Sequence, residues 1–135
     1  MSEFAVFDTS VLIDHLRTNC HAQRMASLRL PVRNSSVVLA ELWRGSSTLL
    51  ERKILKEIEK NHPTLAPAAS HWIESGQILA RIRDRRGFDA AKLRNLHFDV
   101  LIALTVRSYG ARLITSNRAD FELIRSYRDF KLEVW

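Results

Sequence analysis

Cysteine is almost missing from this chain. Cys20 stands alone among 135 residues, so no internal disulfide can form and no cysteine-based zinc site can be assembled. Glycine is scarce too: Gly45, Gly76, Gly87 and Gly110 are widely spaced, which excludes a glycine-rich nucleotide loop. No apolar run approaches the roughly 20 residues of a membrane span. The N-terminus has no basic region followed by a long apolar stretch, so a signal peptide is not expected and the chain reads as cytoplasmic. Repeats, low-complexity tracts and linkers are absent as well, which leaves one domain over residues 1–135 as the expectation.

What is present is ordinary globular stock, 46% hydrophobic and 27% charged, enough at this length to bury a substantial core. The formal net charge is +6, and sixteen arginines stand against five lysines. Arginine offers a planar fork to phosphate, so a polyanionic partner fits, although a solvated basic surface or an acidic protein partner would use the same residues. Arg81, Arg83, Arg85 and Arg86 form the densest basic run, and Arg118 stands apart from it; both are candidate backbone contacts.

Along the chain, short apolar runs alternate with amphipathic stretches. Phe4–Phe7 reads as a strand, followed by a helix capped by Thr9 or Ser10. A short helix over His21–Leu28 is broken by Pro31, and Val32–Ser35 reads as a weaker strand. Helices are expected over Val37–Arg44, Thr48–Lys60, Ala68–Arg86, Phe98–Tyr109 and Asp120–Tyr127. Strands are expected at Thr64–Leu65, Leu113–Thr115 and Phe130–Trp135. Strands alternating with helices argue for an α/β fold, a parallel sheet covered on both faces.

Acidic residues sit at the edges of these runs. Asp8 follows the first strand, Glu41 lies inside Val37–Trp43, Asp99 opens Val100–Val106, and Asp120 follows the turn after Thr115. A carboxylate taken out of water must be hydrated, paired or metal-bound. Asp8, Asp99 and Asp120 could each simply cap or start a helix, whereas Glu41 is flanked by Val38, Leu39, Leu42 and Trp43. Ligand sites of open α/β sheets lie at the C-terminal strand ends, where all four could meet. Together they suggest one acidic pocket for a divalent cation, with Asp99 placed in the first turn of its helix.

These residues resemble those of a PIN domain, and in particular the VapC-type toxin ribonucleases. Asp8-Thr9-Ser10-Val11-Leu12-Ile13 is similar to an opening D-T-[SN]-x-[LI]-I. Ser35–Leu42 closed by Gly45 resembles S-x-x-x-x-E-L-x-x-G, Asp99–Ala103 resembles D-x-x-I-A, and Gly110–Phe121 resembles G-x-x-L-[IV]-T-x-N-x-x-D-F. Order and spacing match along nearly the whole chain. Phe98 departs from the Asn that often precedes the third acid, and Asn117 and Asp120 compete for the fourth position.

The resemblance implies a three-layer α/β/α domain, a carboxylate cluster binding Mg²⁺ or Mn²⁺, cleavage of RNA, and a small antitoxin as partner. Homodimers are common in the family. On that basis Asp8 and Asp99 are the expected metal ligands, direct or through water, while Glu41 and Asp120 complete the catalytic pocket. Thr9, Ser10, Thr115, Ser116 and Asn117 are expected to orient the acids. His97 is expected to be structural, and Cys20 half-buried. Two rivals remain: a non-catalytic binding module and an RNA-processing nuclease that is not a toxin. A phosphoacceptor domain fits poorly, because Val6-Phe7 precede Asp8 where an acidic pair would be needed.

Overall fold

In the computed structural model residues 3–135 are described; Met1 and Ser2, part of the domain expected over 1–135, lie outside the described residues. The elements follow in the order β1 (Ala5–Phe7), α1 (Thr9–Thr18), α2 (Ala22–Ser27), β2 (Asn34–Ser35), α3 (Ser36–Gly45), α4 (Leu49–Asn61) and β3 (Thr64–Leu65). Then come α5 (Ala69–Arg86), α6 (Ala90–Ser108), β4 (Arg112–Thr115), α7 (Arg118–Arg125) and β5 (Lys131–Val134). Every strand pairing is parallel. β1, β4 and β5 form one ladder in the order β1-β4-β5, and β2 pairs with β3. Ala5 joins the two ladders, its N–H donating to the Pro31 carbonyl and its own carbonyl accepting from Arg33 N–H, both at 2.9 Å. The sheet therefore runs β3-β2-β1-β4-β5.

Side chains alternate across this sheet, as strand geometry demands. Ala5, Phe7 and Ile114 face one side, where Val11 of α1 and Met25 and Leu28 around α2 cover them. Val6 and Leu113 face the other, against residues of α3, α4, α5, α6 and α7. This is the three-layer α/β/α arrangement expected from the sequence. The second side carries the larger core because α6 is buried nearly all round from Val100 to Val106.

Local chemistry sets the helix ends. Ser35 caps α3 by accepting from Val38 N–H at 3.2 Å. Thr48 caps α4 by accepting from Glu51 N–H at 3.1 Å, and the Glu51 carboxylate accepts from Ser47 N–H at 2.9 Å. Gly87 ends α5 at φ +66°, a left-handed conformation that glycine adopts without steric cost.

The main correction concerns α6. It begins at Ala90, eight residues before the expected Phe98, and Asp89 caps it by accepting from Lys92 N–H at 2.9 Å. Asp99 is therefore mid-helix, and the first-turn dipole does not explain it. Three smaller differences stand beside this. α7 starts at Arg118 rather than Asp120, with Asn117 as its cap. Leu49 and Leu50, which the amphipathic pattern of Thr48–Lys60 sets on one side with Ile54, Leu55 and Ile58, lie exposed at the start of α4 while Leu55 is buried. Cys20 is exposed rather than half-buried.

Candidate active site

Parallel pairing of β1 with β4 sets Phe7 opposite Ile114, so the two strands end level and release Asp8 and Thr115 to the same rim. Asp8 occupies the cap position of α1, yet its side chain makes no capping hydrogen bond. Its Oδ2 instead accepts from Ser10 Oγ at 2.8 Å and from Thr115 Oγ1 at 2.9 Å. Residue Asp8 is only 4% exposed, so these two hydroxyls fix the carboxylate. The web continues outward: Ser10 Oγ accepts from Ser116 N–H at 3.1 Å, and Thr115 Oγ1 accepts from Asn117 N–H at 2.9 Å. Four of the five residues expected to orient the acids thus cooperate around Asp8, and Thr9 does the same for Glu41, donating to Oε1 at 2.9 Å.

Glu41 reaches the rim from the middle of α3. Its pKa lies above the usual carboxylate range, chiefly through burial and also through Asp8; the Thr9 hydroxyl and Arg44 oppose the shift. Asp99 comes in from α6 and is the most perturbed group. Burial, then the carboxylates of Asp8, Glu41 and Asp120, push it up to about 8, with Lys92 pulling the other way. That mutual repulsion shows that all four sequence-chosen acids share one electrostatic neighbourhood. Asp120 lies at the first turn of α7, held by Asn117 Nδ2 at 3.1 Å and by the Lys92 ammonium at 3.1 Å. Asn117 and Asp120 are therefore bonded to each other, with Asp120 carrying the charge.

The basic residues are distributed differently from the sequence expectation. Arg81 and Arg85 stack on the Tyr127 ring at 5.2 and 5.5 Å, beyond the C-terminal end of α7, whereas Asp120 sits in its first turn. Arg83 pairs with its neighbour Asp84 at 3.2 Å, Arg86 is exposed, and Arg118 is exposed beside Asn117 at the rim. Two cations that sequence reasoning passed over lie against the acids instead. Arg44 approaches Glu41 Oε2 at 4.0 Å, and Lys92 binds Asp120. Spacing was the available signal: Arg44 follows Glu41 by one helical turn, and Lys92 precedes Asp99 by two. His97 bonds Ser75 Oγ at 3.0 Å and sits edge-on to Trp72, consistent with its structural reading.

An all-oxygen, carboxylate-rich donor set suits a hard divalent cation. Among the described residues, no three acidic, histidine or cysteine side chains already close around an ion position. The buried Ser116 Oγ, which has no hydrogen-bond partner, adds a polar atom at the same rim.

The PIN domain model matches residues 5–126, and the chain belongs to this family. Solved structures share its fold. A DNA-bound VapBC from Salmonella typhimurium aligns with TM-score 0.75 and 22% identity, over 100% of this chain and 99% of that one. VapBC-1 from nontypeable Haemophilus influenzae gives 0.72 and 22%, over 98% of each chain. VapBC-5 from Mycobacterium tuberculosis, a member of the VapBC family of toxin-antitoxin systems, gives 0.55 and 23%, over 97% of this chain and 96% of that one. No curated protein matches the sequence.

Proposed function

We propose that this protein is a metal-dependent endoribonuclease that hydrolyses RNA phosphodiesters as the toxin of a toxin–antitoxin pair. The observation that carries the reading is the environment of Asp99, a carboxylate driven up to about 8 by burial and by three other acids. Such repulsion makes sense at a site where a cation relieves it. Asp8 and Asp99 would hold Mg²⁺ or Mn²⁺ directly or through water. When bound, the cation supplies Lewis acidity toward the phosphate and a water of lowered pKa. Glu41 and Asp120 orient water in the pocket, and the hydroxyls of Thr9, Ser10 and Thr115 hold the acids in place. Arg118 and the Arg81–Arg86 surface are assigned to longer-range phosphate attraction.

The partner belongs to the same proposal. An apolar groove of about 380 Å³, lined by Leu12, Leu16, Met25, Leu28, Ile54 and Ile58 among others, runs beside β2 and suits the apolar face of a small antitoxin. Assembly as a homodimer and a cytoplasmic location complete the reading. No helix among the described residues is long and apolar enough to cross a membrane.

The test is cleavage of total cellular RNA by purified protein with Mg²⁺, with Mn²⁺ and with EDTA, beside Asp99→Asn. Discrete, metal-dependent fragments lost in the variant are expected. Absence of cleavage, together with a melting temperature unmoved by millimolar metal, would favour the non-catalytic binding module.

Thr115 allows a finer check. Thr115→Val keeps the shape but removes the donor to Asp8 and the acceptor for Asn117 N–H. Cation affinity, read by titration calorimetry, is expected to fall about 10–100-fold. Unchanged affinity would show that Asp8 does not need this hydroxyl for its orientation.

A further inference from the structure

Two cation–aromatic pairs flank the acid pocket, and both are built to the same plan. On one side the Arg44 guanidinium stands 5.7 Å from the centroid of the Phe98 ring and 4.0 Å from Glu41. On the other, the Lys92 ammonium stands 5.8 Å from the Phe88 ring and 3.1 Å from Asp120. Each cation thus bridges one acid of the pocket and one ring outside it. Both side chains reach solvent, Arg44 at 70% and Lys92 at 40% exposure, and both rings are only partly buried. Lys92, Asn95 and Asp99 fall three and four residues apart on α6, so they share a face that leads from one pair to the pocket.

We propose that these pairs are two binding stations for single-stranded RNA, one on each side of the scissile phosphate. Arg44 and Lys92 take flanking phosphates, releasing Glu41 and Asp120 to the cation, and Phe98 and Phe88 stack the adjoining unpaired bases. The inference rests on the ribonuclease reading and assigns the residues of this chain that seat the strand. A duplex keeps its bases stacked on one another and leaves the rings nothing to receive.

Equilibrium binding of a fluorescent single-stranded RNA in EDTA, which prevents cleavage, tests it against the same strand in a duplex. Phe98→Leu and Phe88→Leu preserve apolar volume and are each expected to raise Kd for the single strand roughly 5- to 150-fold, the range for losing one base–aromatic stack. Duplex binding should be unchanged. Arg44→Gln and Lys92→Gln should each lower the salt dependence by about 0.7 in log Kd against log salt, which the leucine variants should leave alone. Phe98→Trp should restore affinity and show fluorescence quenching on binding. Melting temperatures of all variants separate weakened binding from misfolding. Leucine variants that fold and bind single strands as tightly as the parent would overturn the inference, while the parent's RNA cleavage would leave the ribonuclease reading standing. A parent protein that neither binds nor cleaves RNA would remove both.

Discussion

Asp8→Asn and Asp99→Asn are each expected to lower RNA cleavage by at least about 10²–10³-fold, the scale on which removal of one well-placed electrostatic group acts, with the fold retained. The two positions reach that outcome by different routes. Asp8 is held by Ser10 and Thr115, both hydroxyl donors, and an asparagine carbonyl oxygen can accept the same two bonds. The substitution therefore removes charge while keeping geometry. Asp99 makes no side-chain hydrogen bond among the described residues, so the near-isosteric amide breaks no existing bond. Single-turnover cleavage of a fluorogenic RNA, with circular dichroism on the same samples, checks both. Full activity in either variant, with metal still required, would remove that residue from the cation site.

Much of this site could be read from the chain because its parts are local. Asp8 and Thr115 lie at the ends of short apolar runs, and strand ends in a parallel sheet converge by topology. Thr9, Ser10, Ser116 and Asn117 follow those ends directly, so their roles came with the strands. The start of α6 was less legible. Its first turns, Ala90 to Asn95, hold Leu93 as their one large apolar residue and so show no apolar stripe, and their helical state rests on the Asp89 cap and on packing of Leu93 and Leu96 against the main core. That missing stretch also hid Lys92, whose link to Asp120 joins residues 28 apart in sequence. Arg44 is a different case: its one-turn spacing from Glu41 was legible, but its partner ring, Phe98, lies on another helix and could not be placed beside it.

The basic run over Arg81–Arg86 illustrates the converse. Charge density marked it, with Arg118, as a candidate phosphate contact, but sequence density says nothing about which face of the fold a helix turns outward. Arg81 and Arg85 cover Tyr127, at the end of α7 away from Asp120. Cations near the acids are fewer, and their placement rather than their number matters. The chain's net charge of +6 still draws a polyanion toward a site whose own charge would repel it.

The second large expectation concerns stability without metal: Asp99→Asn should raise the melting temperature of the metal-free protein at alkaline pH. Burial and the three neighbouring acids put Asp99 at about 8 in the folded state, against 3.8 when unperturbed. The folded state therefore binds a proton that the unfolded chain releases throughout the interval between those values. Stability contributed by protonated Asp99 is intact below 3.8, drains away as pH rises, and is gone above about 8. The loss amounts to several kcal/mol at the scale of about 1.4 kcal/mol per pH unit. Asparagine cannot ionise, so the variant should outlast the parent at pH 8.5 and roughly equal it near pH 4. Saturating Mg²⁺ should narrow the gap at pH 8.5. A ligand at 100 times its Kd stabilises the folded state by about 2.7 kcal/mol, and only the parent keeps the full ligand set. Thermal melts at both pH values, with EDTA and with Mg²⁺, give all four corners of this comparison. A variant no more stable than the parent at pH 8.5 in EDTA would show that the four carboxylates do not repel one another as their arrangement requires.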